Sequence, residues 1–379
     1  MIRQRAFFAS AMLLTALLCG PGHLEARDQP FLESELIFPL EHWHNHSSSV
    51  VELPNGDLFV AWFHGSGERR SDDVLIRGAR RNKETGKWTE PFLLADTPGF
   101  PETNCVVDLD SKDRLWLFWP VILANTWESA LMKYRVSTDY MQPDGPPRWD
   151  RGDNILLVPK DIARRTEEVF GPFVGQPGLG EKASVQIAKS RDKLFSRLGW
   201  FTRNHPIELA SGRMLVPMYS DGFSYGIVAI TDDGGETFYA SEPIVGFGSI
   251  QPALAVRKNG EIVAYMRDNG PPPKRIHTAV SRDDGLTWST AVDSTIPNPG
   301  SSCQVRVLKS GLWLLAYNDT EEGRHSLALS LSDDEGRSWK WTRHIERDDA
   351  PENPTRFHYP SVWEARDGTL HMTYSYHLQ

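Results

Sequence analysis

The sequence is poor in cysteine, in excess positive charge and in long apolar runs. It has three cysteines in 379 residues, and its 41 Lys and Arg are outnumbered by 50 Asp and Glu, for a net charge of −9. Three cysteines are too few for a disulfide framework. Because Cys105 and Cys303 lie in apolar strand-like segments, we expect them to be buried thiols. An acidic chain is a poor partner for nucleic acid or anionic membranes. The one long apolar run, Ala6 to Leu18, is too short to span a bilayer, so no integral membrane segment is predicted in the mature chain.

That apolar run has the features of an export signal. Arg3 and Arg5 precede it, and Ala26 offers a small residue for cleavage. We predict that residues 1–26 are a signal peptide, that the protein is periplasmic or secreted, and that residues 27–379 form a single domain with a net charge of −10.

A template of the form Ser/Thr-x-Asp-x-Gly-x-Ser/Thr-aromatic occurs three times. The copies are Thr231 to Phe238, Ser281 to Trp288 and Ser332 to Trp339, with starts 50 and 51 residues apart. A period of this length is typical of stacked sheet modules. The Asp is expected to bind backbone amides of a tight turn, the Gly to take a conformation closed to other residues, and the aromatic to pack under the next sheet.

A second pattern indicates how many modules the chain contains. A polar residue, an apolar strand, a turn that usually contains Gly, and a second apolar strand recur six times. The sequence therefore predicts an all-β fold, a six-bladed β-propeller of four-stranded antiparallel blades, whose last blade lacks room for its outer strands. Residues 33–40 are expected to supply a closing strand to that blade. The copies start at His46, Asn104, His205, Gln251, Ser302 and Tyr359.

Residues 159–199 break the period. They comprise charged, helix-compatible segments on either side of a Gly- and Pro-rich stretch, and predict a partly helical insertion between blades two and three. By blade topology the insertion lies on the face that also gathers the starts of the inner strands, and we expect it to act as a lid there.

The same face collects the loops between the second and third strands of each blade. These loops are rich in Arg and Asp, which is the pattern expected around an acidic ligand, since Arg binds carboxylates in a bidentate manner. Glu128, beside Trp127, is a further carboxylate there. The predicted ligand-binding residues of this face are Arg70, Asn104, Glu128, His205, Asp221, Arg267, Arg324 and His46, with Asp72 and Asp73 in the first loop.

These segments resemble the sialidase superfamily, specifically bacterial proteins with Asp-box repeats. Tyr359-Pro-Ser-Val-Trp-Glu is similar to the segment that carries the sialidase nucleophile, which implies that role for Tyr359. Arg267 and Arg324 match two of the three arginines that bind the substrate carboxylate. Asp72 and Asp73 stand where the acid/base is expected, and the resemblance does not choose between them.

Two positions depart from the family pattern. Gln251 occupies the place of a Glu and cannot take a proton from the phenol, and His46 occupies the place of the first Arg. In these enzymes the anomeric carbon of the substrate bears its own carboxylate, which repels an anionic carboxylate nucleophile. This class therefore uses a Tyr instead. No cofactor is predicted. The alternation of His42, His44 and His46 would allow a metal site, but a polar strand start in which His46 contacts the substrate is the preferred interpretation.

Together these features predict an exported, exo-acting glycoside hydrolase that cleaves a terminal acidic sugar, a sialic acid or a related keto-sugar or uronic acid, from a glycan. Gln251 favours an alternative, a carbohydrate-binding propeller without catalysis. A polysaccharide lyase acting on uronates is the other alternative.

Overall fold

Six antiparallel sheets follow one another along the chain in a β-propeller arrangement. The computed structural model describes residues 31–377, so the predicted signal peptide lies outside the described part. Residues 31–35 have no regular secondary structure, and residues from Leu36 onward belong to one compact unit. Among the described residues, no helix is both long and apolar enough to cross a bilayer.

The first three sheets are full blades. Blade 1 contains β1 (His44–Glu52), β2 (Leu58–Gly65), β3 (Leu75–Arg81) and β4 (Phe92–Ala95); blade 2 contains β5 (Val106–Leu109), β6 (Leu115–Ile122), β7 (Ala130–Ser137) and β8 (Arg151–Asn154); blade 3 contains β9 (Phe201–Thr202), β10 (Ile207–Glu208), β11 (Met214–Ser220), β12 (Tyr225–Thr231) and β13 (Tyr239–Ala240). Because β9 and β10 both pair with β11, blade 3 is a four-stranded blade whose inner strand is interrupted.

The remaining sheets include two full blades and one partial blade. Blade 4 contains β14 (Ser249–Val256), β15 (Ile262–Asp268), β16 (Arg275–Ser281) and β17 (Val292–Pro297); blade 5 contains β18 (Gln304–Val307), β19 (Trp313–Tyr317), β20 (Ser326–Ser332) and β21 (Trp341–Arg347); blade 6 contains β22 (Arg356–Glu364) and β23 (Leu370–His377). The sixth blade has two described strands, as expected from the lack of room for its outer strands. The predicted closing strand at residues 33–40 is wrong, because that segment has no strand.

The six hairpins predicted from the sequence are the inner strand pairs of the blades. Five of them turn at a glycine with φ between 84° and 87°, a conformation that side chains with a Cβ rarely adopt. In blade 2 Asp113 takes this place with φ 53°. The apolar core lies between neighbouring sheets, for example where Trp363 of blade 6 packs with Val50 and Trp88 of blade 1.

The three Asp-box turns have the local structure that the sequence predicts. Asp283 accepts hydrogen bonds from the Ser281 hydroxyl (2.8 Å) and from the amide (2.9 Å) and hydroxyl (2.6 Å) of Thr287. Asp233 and Asp334 accept the same three bonds in their own turns. The aromatic residue packs on the preceding blade, not the next one as predicted: Phe238 of blade 3 contacts Tyr134 of blade 2, and Trp339 of blade 5 contacts Tyr265 of blade 4.

The insertion between blades 2 and 3 contains three helices, α1 (Ile162–Phe170), α2 (Gly180–Arg191) and α3 (Lys193–Arg197), and a 3-10 turn at Gly171–Phe173. A second 3-10 turn, Trp127–Ser129, lies in the loop of blade 2. Phe170 and Ala183 bury the insertion against the core shared by blades 2 and 3. Cys105 and Cys303 are buried free thiols, as predicted.

Candidate functional site

The inner strands are distorted where they reach the propeller axis. Ser47, Asn104, Gln251 and Tyr359 have positive φ angles of 57°, 41°, 56° and 59°, which are uncommon for residues with a Cβ. The strand register shifts at these points in blades 1, 4 and 6. Such bulges re-aim side chains and are frequent next to functional sites. By this register Ser47, and not His46 as predicted, is the blade 1 residue that corresponds to Gln251 and Tyr359.

Tyr359 lies at the centre of a group of cations. The Arg267 Nη1 donates a hydrogen bond of 2.9 Å to its phenol oxygen, and the Gln251 Nε2 donates a longer one of 3.4 Å. The guanidinium carbons of Arg203 and Arg324 lie 5.0 and 5.7 Å from the centre of its ring. Three arginines thus surround one phenol, an arrangement that suits an anionic ligand beside it.

Arg203 is the arginine that sequence reasoning missed. It follows β9 at the break in the inner strand of blade 3 and is 2% exposed. Its Nη2 donates to the carbonyls of Tyr359 (2.5 Å) and Pro360 (3.3 Å), which fixes the distorted backbone of the phenol. Burial lowers the pKa of Arg203 to about 10. The only sequence signal was its position just before the polar start of the third hairpin.

His46 is also brought to Tyr359. Its ring stacks on the phenol ring with 4.4 Å between centres and 21° between planes, and its Nδ1 lies 2.5 Å from the hydroxyl of Ser375 in blade 6. Burial, followed by the nearby His358, lowers the pKa of His46 well below its usual value. The imidazole is therefore neutral at neutral pH and differs in charge from the arginine that the family pattern has at this place.

A second phenol lies beneath the first. The hydroxyl of Tyr219 accepts hydrogen bonds from Nδ2 of Asn104 (3.0 Å) and from Nε2 of Gln251 (2.9 Å). Gln251 therefore links the two phenols. Burial, then the charge of Asp221, raises the pKa of Tyr219 well above its usual value. Tyr219 was not identified from the sequence, because it falls inside an apolar strand and carries no motif.

Many buried polar atoms around the axis have no hydrogen-bond partner within the protein. Unpaired buried polar atoms are costly and are found where a ligand or water supplies the partner. They include carboxamide oxygens, hydroxyls and guanidinium Nε atoms of Ser47, Ser48, Thr103, Asn104, Arg203, Asn204, Gln251, Arg267, Ser301, Ser302 and Asn318. Such a ring of donors and acceptors suits a polyhydroxylated ligand better than an apolar one.

A cavity of about 650 Å³ opens beside Tyr359. Its lining includes Arg324 and His46, which contact the phenol ring, and Glu68 of the loop after β2. Burial raises the pKa of Glu68, against the attraction of Arg69 and Arg267. Glu68 was not selected from the sequence, although it lies in the same charged loop as Asp72 and Asp73.

Asp72 and Asp73 are exposed and take part in local structure. Asp72 accepts a hydrogen bond of 2.8 Å from Asn125, and Asp73 accepts bonds from the amide and hydroxyl of Ser66. Arg70 is exposed on the same loop.

Asp221 lies in the charged group around Arg267. Burial raises its pKa to about 6, against attraction from Arg267 and with added repulsion from Glu68 and Glu128. A carboxyl with this pKa is partly protonated near neutral pH, which suits a proton donor. The predicted loop residue Asp221 therefore lies within the electrostatic reach of both Arg267 and Glu128.

His205 does not contact the cavity beside Tyr359. Its Nδ1 lies 3.0 Å from Asp108 and its Nε2 lies 2.9 Å from the Ser361 hydroxyl, and it lines a separate cavity of about 430 Å³ further along the axis. These contacts connect the inner strands of blades 2, 3 and 6. The predicted substrate contact of His205 is replaced in the structure by this link between blades.

The insertion is fixed beside the candidate site. The side chains of Gln186 and Lys189 on α2 donate to the Gly222 carbonyl, at 3.4 and 3.1 Å, next to Asp221. The insertion therefore lies on the predicted face, and its role as a lid stays a prediction. Among residues 31–377, no group of three or more His, Cys, Asp or Glu side chains is placed to hold a metal ion.

The sequence profile of the BNR repeat-like domain matches residues 56–155 and 186–372. The unmatched stretch between them covers α1 and the start of α2. The sequence itself matches none of the curated proteins.

Solved sialidase structures share the fold. The leech intramolecular trans-sialidase superposes with a TM-score of 0.65 at 14% identity, covering 91% of this chain and 67% of the other. The NanB sialidase of Streptococcus pneumoniae gives 0.64 at 12% identity, covering 90% and 67%. A Hadza microbial sialidase gives 0.60 at 16% identity over 84% of this chain, which spans 60% of that protein's length. At these identities the likeness concerns the fold alone.

Proposed function

The chain belongs to the BNR repeat-like domain family, and on that premise we propose that it is an exo-acting glycoside hydrolase that removes a terminal acidic sugar from a glycan. The sugar is a sialic acid or a related keto-sugar or uronic acid. The protein acts outside the cytoplasm, after export directed by residues 1–26. The observation that carries the proposal is the phenol of Tyr359, held 2.9 Å from the Arg267 guanidinium among three arginines.

Tyr359 is the proposed nucleophile. Its oxygen attacks the anomeric carbon, the bond to the leaving oxygen breaks, and water later hydrolyses the tyrosyl–sugar bond. A neutral Gln251 cannot accept the phenolic proton. The phenolic proton passes to solvent water as the oxygen attacks, and the Arg267 guanidinium, which donates to that oxygen, stabilises the charge that develops in this step. Activation by a cation in place of a carboxylate base is thus the feature in which this site would differ from the family pattern.

Arg267 and Arg324 are the proposed carboxylate ligands. Arg324 already donates to His358 and to the Gly300 carbonyl. Each terminal guanidinium nitrogen carries two hydrogens, so one N–H of each remains for a substrate oxygen. His46 contributes ring stacking and no charge.

The proton donor is proposed among four carboxyl groups of the functional face. Asp72 and Asp73 stand where the family resemblance expects the proton donor, whereas burial raises the pKa of Glu68 and raises that of Asp221 to about 6. Glu68 ranks first because it lines the cavity that Arg324 and His46 also line. The donor protonates the leaving oxygen as the glycosidic bond breaks.

A panel of acidic glycosides assayed with wild type and Tyr359→Phe tests the proposal. We expect wild type to release the free acidic sugar and Tyr359→Phe to lose at least about a thousandfold in kcat. Tyr317→Phe is the matched control, because Tyr317 is a buried tyrosine of blade 5 that contacts Ser330. Equal rates for wild type and Tyr359→Phe would exclude the nucleophile.

A second candidate function, carbohydrate binding without catalysis, is favoured by Gln251. In that case an acidic glycan would bind tightly to wild type and no product would form on long incubation. Product with ultraviolet absorbance from a new double bond would instead indicate a lyase.

A further inference from the structure

The cavity beside Tyr359 is lined by four imidazoles and two guanidinium groups. We call His44, His46, His358 and His377 the histidine row. All four line the cavity, together with Arg324 and Arg356. Glu68 is the one acidic residue among the described residues of the lining. The charged groups of the lining are therefore two guanidinium groups and one carboxylate, and a concave surface with excess positive charge attracts an anion.

The histidine row leads away from the proposed nucleophile. The His46 ring lies 4.4 Å from the ring of Tyr359 and 4.9 Å from that of His358. The His358 ring lies 5.7 Å from Tyr359 and 6.2 Å from His377, which is exposed at the rim. The far end of the row is therefore two ring-to-ring steps from the phenol. A carboxylate on the sugar that Tyr359 attacks does not reach this end, whereas a group on the next sugar does.

The hydrogen bonds of the row leave donors for a ligand. A guanidinium only donates, so the 3.2 Å contact from Arg324 Nη1 to Nδ1 of His358 requires an imidazole that carries its proton on Nε2. Burial, then repulsion from Arg324, lowers the pKa of His358 to about 2. Neutral N–H donors beside two guanidinium groups form a set that binds a sulfate or carboxylate.

A cation is the less suitable ligand. The described residues hold no group of three side chains arranged for a metal, although four imidazoles line one cavity. Arg324 and Arg356 lie on the same lining and repel a positive ion. The cavity is also large, since about 650 Å³ is within the range of pockets that hold a whole small molecule.

We propose that the histidine row, with Arg356, is a second anion subsite beside Arg324, and that the substrate is a glycan with two acidic groups. The second group is a sulfate ester or carboxylate on the sugar next to the one released. This inference rests on the proposed function for the identity of the first sugar, but the existence of the anion subsite does not.

Binding of inorganic sulfate tests the subsite without turnover. Calorimetry on wild type is compared with the double variant Arg356→Gln/His377→Asn, whose two positions are exposed, and thermal unfolding checks that the variant keeps its fold. We expect the Kd for sulfate to rise roughly tenfold or more, the loss typical of charge-assisted hydrogen bonds. Arg337→Gln, an exposed arginine in the third Asp box, is the control and should leave the Kd unchanged.

Sulfate that binds the double variant as tightly as wild type, and is lost only in Arg267→Gln, would overturn the proposal. It would then occupy the group around Tyr359. A stoichiometric zinc content of the purified protein would overturn it as well.

A pair of glycosides tests the substrate class. The two carry the same terminal acidic sugar on galactose, with or without a sulfate ester on the galactose. We expect wild type to prefer the sulfated member at least tenfold in kcat/KM, and the double variant to lose that preference. Turnover of both members at equal kcat/KM would refute the second subsite and leave the proposed hydrolase intact. Sulfate binding that depends on the row, without turnover of any glycoside, would refute the hydrolase and leave the subsite.

Discussion

The two faces of the propeller use carboxylates in opposite ways. In the Asp-box turn of blade 4, Asp283 accepts three hydrogen bonds from Ser281 and Thr287, and these bonds lower its pKa although partial burial opposes them. On the other face burial raises the pKa of Asp221 to about 6, with the Arg267 guanidinium opposing it. The carboxylate form of an Asp side chain is thus stabilised by hydrogen bonds in the Asp-box turn, whereas burial destabilises it at Asp221.

The difference separates groups that the fold uses from groups that it leaves for a ligand. The carboxylate of Asp283 uses its hydrogen bonds within its own turn and is not placed to bind a ligand. Around Tyr359, by contrast, Arg203, Gln251 and Arg267 keep buried polar atoms without a partner. Proteins keep such costly arrangements where a ligand repays them. Substitutions on the two faces should therefore change different quantities.

The largest effect is expected for Arg267→Gln. The change removes the 2.9 Å contact to the Tyr359 oxygen and the cation for the substrate carboxylate. We expect kcat/KM for an acidic glycoside to fall by roughly 10²–10³, as for loss of a transition-state donor, with little loss of stability. Steady-state kinetics and thermal unfolding measure the two effects.

Arg257→Gln is the matched control in the same blade, because Arg257 pairs with Glu261 and with the backbone of an Asp-box turn. It should lower stability and leave kcat/KM unchanged. Equal kinetic losses for the two arginines would contradict the separation of the faces.

The next effect is expected for Asp283→Ala. Loss of three hydrogen bonds should lower the free energy of unfolding by about 1–3 kcal/mol. Kinetic constants should stay within twofold of wild type, because the turn lies on the face opposite Tyr359. Urea denaturation is the measurement, and Asp283→Asn, which keeps one acceptor oxygen, should show a smaller loss. A fall in kcat without a loss of stability would refute the assignment.

Local patterns predicted the scaffold well. The Asp-box residues act within a few positions of one another, so Ser281, Asp283 and Thr287 form their turn as expected. The six inner hairpins were likewise visible as apolar alternation with a turn. The proposed closing strand depends on long-range pairing, and there the prediction failed.

The site was predicted only where a motif or a resemblance marked it. The structure brings Tyr359, Gln251, Arg267 and Arg324 together. Arg203 has no motif, since its position comes from a break between β9 and β10. A bulge at the axis shifts the register by one residue, and a one-residue shift moves every side chain to the other side of a strand. Blades 1, 4 and 6 have the same bulge, and Ser47, Gln251 and Tyr359 hold the same position in it, so Ser47, and not His46, corresponds to Tyr359.

The smallest effect, and the most specific test, is the pH dependence of Asp221→Asn. The folded pKa of Asp221 is about 6, above the value near 3.9 of an unfolded Asp. Between these values the folded protein binds more protons than the unfolded chain, so the contribution of Asp221 to stability falls as pH rises from about 4 to about 6. Asp221→Asn removes this slope and should stabilise the protein by about 2 kcal/mol at pH 7 relative to its effect at pH 4.

Asp283 has the opposite sign, because its folded pKa is lowered. Its contribution is present above the unfolded pKa and is lost as pH falls through the folded pKa. Urea denaturation at pH 3–7 of wild type, Asp221→Asn and Asp283→Asn should therefore give difference curves that diverge at opposite ends of the range. Curves of the same sign would mean that Asp221 is satisfied as an anion, as Asp283 is, and would remove it from the candidate proton donors.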